Sequence, residues 1–194
     1  MTRLGWIILA VVLLFAAAFV SMTSFGTADR RMTRVDTPPP PPAETTAGPL
    51  VVPVAGVRRE TIVDSWGDPR GGGTRGHHGT DIPAAQGTPV IAAASGTVEK
   101  LFRSVRGGTT AYVRSTDRRW IYYYAHLAAY APGLREGQPV RAGQQIGNVG
   151  DTGDAGQGNY HLHFGMQRMR PGERWYQGED VDPYPMLAAR ARGR

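Results

Sequence analysis

The sequence predicts an all-β domain, an antiparallel sandwich or barrel, and three observations carry that expectation. From Leu50 onward, short β-branched or aromatic runs are separated by Gly, Pro and Asp at intervals of about ten residues, with no convincing amphipathic helix. A second observation is an internal echo: Gly87-Thr-Pro-Val-Ile-Ala92 returns as Gly137-Gln-Pro-Val-Arg-Ala142, and each copy is followed by Gly-x-Val, at Gly96–Val98 and Gly147–Val149. Two copies are too few for a solenoid, so the echo reads as a strand–turn–strand unit duplicated about a pseudo-two-fold axis. Third, all 5 histidines fall in three short clusters on or beside predicted strands.

In chain order, the first segment is apolar. Arg3 and Asp29 bracket a run without charge that includes LGWIILAVVLLFAAAFV, Leu4 to Val20. As a helix it reaches about 37 Å, longer than the roughly 30 Å hydrocarbon layer. Residues 1–28 are therefore expected to be an N-terminal transmembrane anchor, or a signal peptide cleaved at small residues such as Gly26 and Ala28. Basic residues on both sides leave orientation open, and either reading exports the domain if the N-terminus stays inside. Residues 29–49 contain five consecutive prolines within TPPPPPAETTAG. Such a run favours extended polyproline II and makes a stiff linker.

Residues 50–185 are assigned to the folded domain and 186–194 to a basic C-terminal tail. A body of this size buries roughly two-thirds of its unfolded surface without staples. Its strands are expected at Glu60–Ser65, Pro89–Ala94, Thr97–Arg103, Thr110–Ser115, Trp120–His126, Gln144–Val149 and Tyr160–Gln167, with a hairpin turn at Asp117 and Arg118.

Composition narrows the chemistry. The chain has no cysteine, which excludes disulfides, thiolate metal sites, iron–sulfur clusters and cysteine nucleophiles. Any metal must be held by His, Asp or Glu. A net charge of +6, with Lys100 the sole lysine, favours an anionic partner or environment without choosing among nucleic acid, lipid head groups and wall polymers.

The histidines give the sharper reading. In GHHGTDI, His77 and Asp81 form H-x-x-x-D, and Gly71, Gly72, Gly73, Gly76 and Gly79 favour a loop entering a strand over a helix. In YHLHF, strand periodicity puts His161 and His163 on one face and Leu162 on the other. His126 ends the aromatic run YYYAHL. His77, one of the two strand histidines and Asp81 would make a two-histidine, one-carboxylate site that leaves a position for water; zinc suits those donors, though cobalt, nickel or copper can use them too.

The ordered set HHGTDI, GTPVIAAASGTV, YYYAHL, APGLREGQPVRAGQQIGNVGDTG and HLHF resembles the lysostaphin/LytM-type zinc metallopeptidases, which cut peptide bonds in bacterial peptidoglycan. The likeness spans roughly Thr61 to Arg168. It implies a barrel-sandwich hybrid built from a duplicated hybrid motif, one Zn2+ held by His77, Asp81 and His163, and His126 with His161 as the catalytic pair. His161 is the expected general base and His126 the expected donor to the oxyanion, the reverse assignment staying open. Gly165 departs from the acidic residue the family often carries after H-L-H-F, and His78 occupies a variable position. Expected cleft walls are Asn148 to Asn159 and the glycine-rich stretch before His77, with Tyr123, Tyr160 and Trp175 as possible linings.

The expected protein is thus an envelope zinc endopeptidase with peptidoglycan peptide as substrate, attached to the membrane through its N-terminal segment, and with no nucleic-acid partner. The alternatives are a catalytically silent wall-binding regulator of another hydrolase, whose partner the sequence does not name, and a nucleic-acid platform formed by the basic surface and Tyr122–Tyr124.

Overall fold

The computed structural model describes residues 50–189. The expected anchor or signal segment (1–28), the proline-rich linker (29–49) and most of the basic tail lie outside the described residues. Among the described residues no helix is long and apolar enough to cross a membrane.

Eleven strands follow in order: β1 (Pro69–Arg70), β2 (Arg75–Gly76), β3 (Thr80–Pro83), β4 (Pro89–Ile91), β5 (Gly96–Ser104), β6 (Gly108–Ser115), β7 (Trp120–Tyr130), β8 (Pro139–Val140), β9 (Gln145–Val149), β10 (His161–Arg168) and β11 (Glu179–Val181). Among the described residues one short α-helix, α1 (Tyr184–Ala188), comes last. β1 and β2 form a separate hairpin, and the other nine strands form one antiparallel sheet along the path β11-β10-β7-β6-β5-β8, with β3 on β10 and β9 on both β4 and β7. An all-β architecture is therefore what the turn-punctuated sequence builds.

The period-two pattern of β10 defines the two sides. Leu162, Phe164 and Met166 are almost fully buried in the core, while His161, His163, Gly165 and Gln167 alternate onto the opposite face. Across β10, β3 supplies Asp81 opposite His163, and β7 supplies Ala125 on the other side of that same residue. Core packing thus fixes the height at which the polar residues meet.

The sequence echo is realised by strand exchange. β4 pairs with β9, and β8 pairs with β5, so each copy's first strand is completed by the other copy's second. The backbone contacts repeat as well: Gly87 N–H donates to Val149 O at 2.8 Å and Gly137 N–H to Val98 O at 2.7 Å. Val149 N–H reaches Thr88 O and Val98 N–H reaches Gln138 O, both at 2.9 Å.

Two expectations need correction. Glu60–Ser65 is not a strand; Arg59–Thr61 forms a 3-10 turn and the following residues run without sheet pairing. The reason lies in Arg59, whose guanidinium is drawn to the carbonyls of Leu187 and of Leu50, the latter at 2.6 Å, so this segment clips the two ends of the domain together. The folded body also continues past residue 185, because Leu187 of α1 is fully buried in the core. The turn at Asp117 and Arg118 forms as expected, with Arg118 at φ 61° and its N–H on Ser115 O at 2.9 Å.

Gly96, where the first echo copy enters β5, tests the tightness of this packing. A Cβ there would stand 2.2 Å from Arg114 O of the neighbouring strand. Gly96→Ala is expected to destabilise the domain by about 1–3 kcal/mol through overpacking, read as a lower urea midpoint at unchanged slope; an unchanged midpoint would contradict the close approach.

Candidate metal centre

Three donor atoms converge where β3 and β10 lie side by side. His77 Nε2 is 3.0 Å from Asp81 Oδ1 and 2.8 Å from His163 Nδ1, and His163 Nδ1 is 3.1 Å from Asp81 Oδ1. Ligands about 2.0–2.2 Å from one tetrahedral zinc ion lie roughly 3.3 Å apart, so the group is compact enough for a single ion. All three side chains belong to a set of donors able to hold one metal.

Local structure aims each of them. His77 is buried, and its Nδ1–H donates to Ser65 O at 2.7 Å, which leaves Nε2 with its lone pair toward the group. The backbone of His77 is clipped on both sides, its N–H to Asp68 O at 2.9 Å and its carbonyl to Gly67 N–H at 2.8 Å. Gly79 makes room for His163: a Cβ at residue 79 would lie 2.7 Å from His163 Nε2 and 2.8 Å from Phe164 O. Asp81 stands beside His163 by strand register.

Two more imidazoles face the same space. His161 Nδ1–H donates to Asn159 O at 2.9 Å, and its Nε2 is 3.8 Å from Asp81 Oδ1. His126 Nδ1–H donates to Thr152 O at 2.7 Å. The rings of His126 and His161 are 4.8 Å apart, and His126 is 5.9 Å from the ring of His163. Both side chains therefore carry the hydrogen on Nδ1 and keep Nε2 as an acceptor.

His126 reaches this place through a backbone device that the sequence does not announce. Leu127 pairs with Thr109 and Tyr124 with Ala111, so Ala125 and His126 oppose the single residue Thr110 in a β-bulge. His126 takes φ 60°, a conformation that costs a non-glycine residue about 1–2 kcal/mol. Strict alternation would have put His126 in the core with Tyr122 and Tyr124; the bulge turns it to the side of Tyr123 and Ala125. Burial of Tyr122 and Tyr124 also removes the aromatic platform that a nucleic-acid reading needs.

The five side chains line an open cleft of about 930 Å³. One wall is the β1–β2 hairpin, with Arg70 and Arg75; the facing wall comes from Asp154, Ala155 and Asn159, within the expected loop. Arg75 spans the two through an ion pair with Asp154 at 3.1 Å. Tyr123 lines the cleft, its ring 5.7 Å from that of His163. Trp175 packs on Tyr112 at 4.5 Å, and Tyr160 packs against the core. His78 stacks on Trp66 and pairs with Asp180 at 2.8 Å at the rim.

Electrostatics favour a cation here. Burial raises the Asp81 carboxyl, but opposing interactions led by hydrogen bonding from His163 outweigh it and hold the group well below the usual carboxylate range. Burial lowers His163 against the pull of Asp81, and burial lowers His126 against its bond to Thr152. Deprotonated carboxylate and neutral imidazole are the forms that bind a metal.

A small antiparallel β domain with a partly buried His-Asp-His donor group and two further imidazoles in an open cleft has the form of a metal-dependent hydrolase. The comparison with known families agrees: residues 75–183 match the model of peptidase family M23, and the chain belongs to that family. It is 40% identical over 131 residues to the L-Ala–D-Glu endopeptidase of Bacillus subtilis (strain 168), covering 64% of this chain and 39% of that protein. To the murein hydrolase activator NlpD of Escherichia coli (strain K12) it is 29% identical over 129 residues, 66% of this chain and 30% of the relative. The chain thus spans well under half the length of both. Among solved structures, the catalytic domain of lysostaphin from Staphylococcus simulans matches with TM-score 0.55 and 28% identity, over 68% of this chain and 96% of that one.

Two outcomes follow from this geometry. Gly79→Ala, which pushes on the ring of His163, is expected to weaken zinc binding by at least tenfold in a chelator competition; wild-type affinity would show that the approach is not tight. For the metal-free protein, His126 and His163 titrate below their ordinary value of 6.5 in the folded state. Their contribution to stability is complete above that pH and is lost as pH falls through the depressed values, because the unfolded chain takes up protons that the buried rings refuse. Asp81 acts in the same direction only at still lower pH, below its ordinary 3.8. The urea midpoint should drop between pH 7.5 and 5.5, and His126→Gln should shrink the drop.

Proposed function

We propose that this protein is a cell-envelope zinc metalloendopeptidase that hydrolyses peptide bonds in peptidoglycan stem peptides or cross-links. The observation that carries the reading is the convergence of His77, Asp81, His163, His126 and His161 on one cleft, with His77, His126 and His161 each tied to a backbone carbonyl through Nδ1 so that Nε2 is turned to the chemistry. The endopeptidase relative supports it through its name and its 40% identity.

In this reading His77 Nε2, His163 Nδ1 and Asp81 Oδ1 hold Zn2+. Bound there, zinc would make water acidic enough to act near neutral pH and would polarise the scissile carbonyl. His161 accepts the proton of the attacking water at Nε2, and its Nδ1 bond to Asn159 O steadies the imidazolium that results. The same proton is then delivered to the leaving amine. His126 presents Nε2 from the other side of the cleft; because its Nδ1–H is engaged by Thr152 O, it donates to the carbonyl oxygen as an imidazolium, whose extra proton comes from solvent and stays on the ring while negative charge grows on that oxygen. The open cleft between hairpin and loop receives an extended peptide. The N-terminal apolar segment and proline run would hold the domain on the extracytoplasmic side of the membrane at a limited reach.

The activator relative favours a second reading, a wall-binding regulator of another hydrolase. One experiment separates them. The full chain is assayed for zinc content and for new amino termini released from purified peptidoglycan, beside His163→Ala and His161→Ala. The enzyme reading expects one zinc per chain, loss of metal in His163→Ala, and in His161→Ala retained metal with activity reduced about 10²–10⁴-fold. Zinc binding without product from any wall type would overturn it in favour of the regulator.

A further inference from the structure

The carboxylate of Asp81 is divided between two tasks. Its Oδ1 lies against His77 Nε2 and His163 Nδ1, whereas Oδ2 is held by Arg70 Nη2 at 2.7 Å. We propose that Arg70 is a positioning residue for the metal site, holding Oδ2 of Asp81 so that the carboxylate offers a metal one oxygen and leaves the remaining coordination positions to water and substrate. The inference rests on the metal-site reading above and adds to it a residue from outside the donor group.

Three features of the hairpin support the assignment. First, Arg70 and Arg75 stand directly opposite each other in the β1–β2 register, an arrangement of like charges that disfavours pairing. Each arginine is instead drawn to a different carboxylate, Arg70 to Asp81 and Arg75 to Asp154, so the hairpin bears on the metal group at one point and on the far wall at another. Second, the Arg70–Asp81 pair is partly open, at 31% and 25% side-chain exposure. Ion pairs that open stabilise a fold little, and the consequence of this one falls on the carboxylate it orients. Third, a carboxylate oxygen without a partner beside a divalent ion is free to swing in as a second ligand. Two histidines and a bidentate aspartate would fill the position that a catalytic site with three protein ligands keeps for water. A guanidinium on that oxygen supplies a competing charge-assisted hydrogen bond and fixes the carboxylate's rotation.

The test uses the full chain as wild type, Arg70→Gln, Arg70→Lys and Arg75→Gln, with folding checked by circular dichroism. Zinc affinity is measured by chelator competition, and coordination by the visible absorption spectrum of the cobalt-substituted protein. Arg70→Gln is expected to bind zinc about 10- to 100-fold more weakly and to show the weaker cobalt bands of a higher coordination number. Arg70→Lys should recover part of both, and Arg75→Gln, which cuts only the tie to Asp154, should match wild type in both. Wild-type affinity and an unchanged cobalt spectrum in Arg70→Gln would overturn the inference while leaving the metal site intact. Equal losses in Arg75→Gln would assign the effect to the hairpin as a whole and overturn it too. A wild-type chain that binds no zinc would fail the functional reading itself, and the inference with it.

Discussion

The pleat of β10 is the constraint on which the rest of the molecule depends. Leu162, Phe164 and Met166 commit one side of the strand to the core, so His161 and His163 have no freedom to face anywhere but the cleft. A one-residue slip would exchange the two sets and put imidazoles into the hydrocarbon interior. The energy that keeps the histidines in place is therefore hydrophobic burial a few ångströms beneath them. Polar groups then refine what packing has set: Ser65 O, Thr152 O and Asn159 O each select one tautomer of one ring.

The site is consequently assembled from distant pieces with different tolerances. β10, paired on both sides, and β3, paired along it, belong to one continuous sheet and carry His163 and Asp81 side by side. The hairpin and the loop around Asp154 stand outside that sheet and reach the cleft through charged contacts. Rigid elements thus hold the donors, and the outer walls, joined by partly exposed ion pairs, are the parts that a substrate can displace at least cost.

How much of this was legible in the sequence depended on whether a residue's role followed from a local period. H-x-H on an apolar strand reads directly, because alternation fixes both imidazoles on one face. H-x-x-x-D surrounded by glycine reads as a loop entering a strand, and β3 begins at Thr80 as that requires. His126 does not read in this way: the period assigns it to the core, and only a bulge closed by long-range pairing with β6 reverses it. Arg70 was equally silent, since its partner lies across a turn whose course depends on the hairpin; two arginines flanking three glycines were the only hint. The mistaken strand at Glu60–Ser65 has the same origin. Its β-branched residues satisfied propensity, but the guanidinium of Arg59 had partners at both ends of the domain and decided the local conformation.

The strand exchange between the two echo copies bears on how the chain reaches this state. Neither copy can complete its own ladder, since each lends one strand to the other, Val90 pairing with Gly147 and Gly96 with Val140. The native state therefore has no separable half to serve as a stable intermediate, and its pairings pay loop-closure entropy before returning any bonds. Such non-local topology places folding in the millisecond-to-second range typical of β sandwiches and barrels. Unfolding is coupled in the same way: opening one lobe takes away the other's edge, so the domain should melt as one cooperative block, carrying β10 and its histidines with it.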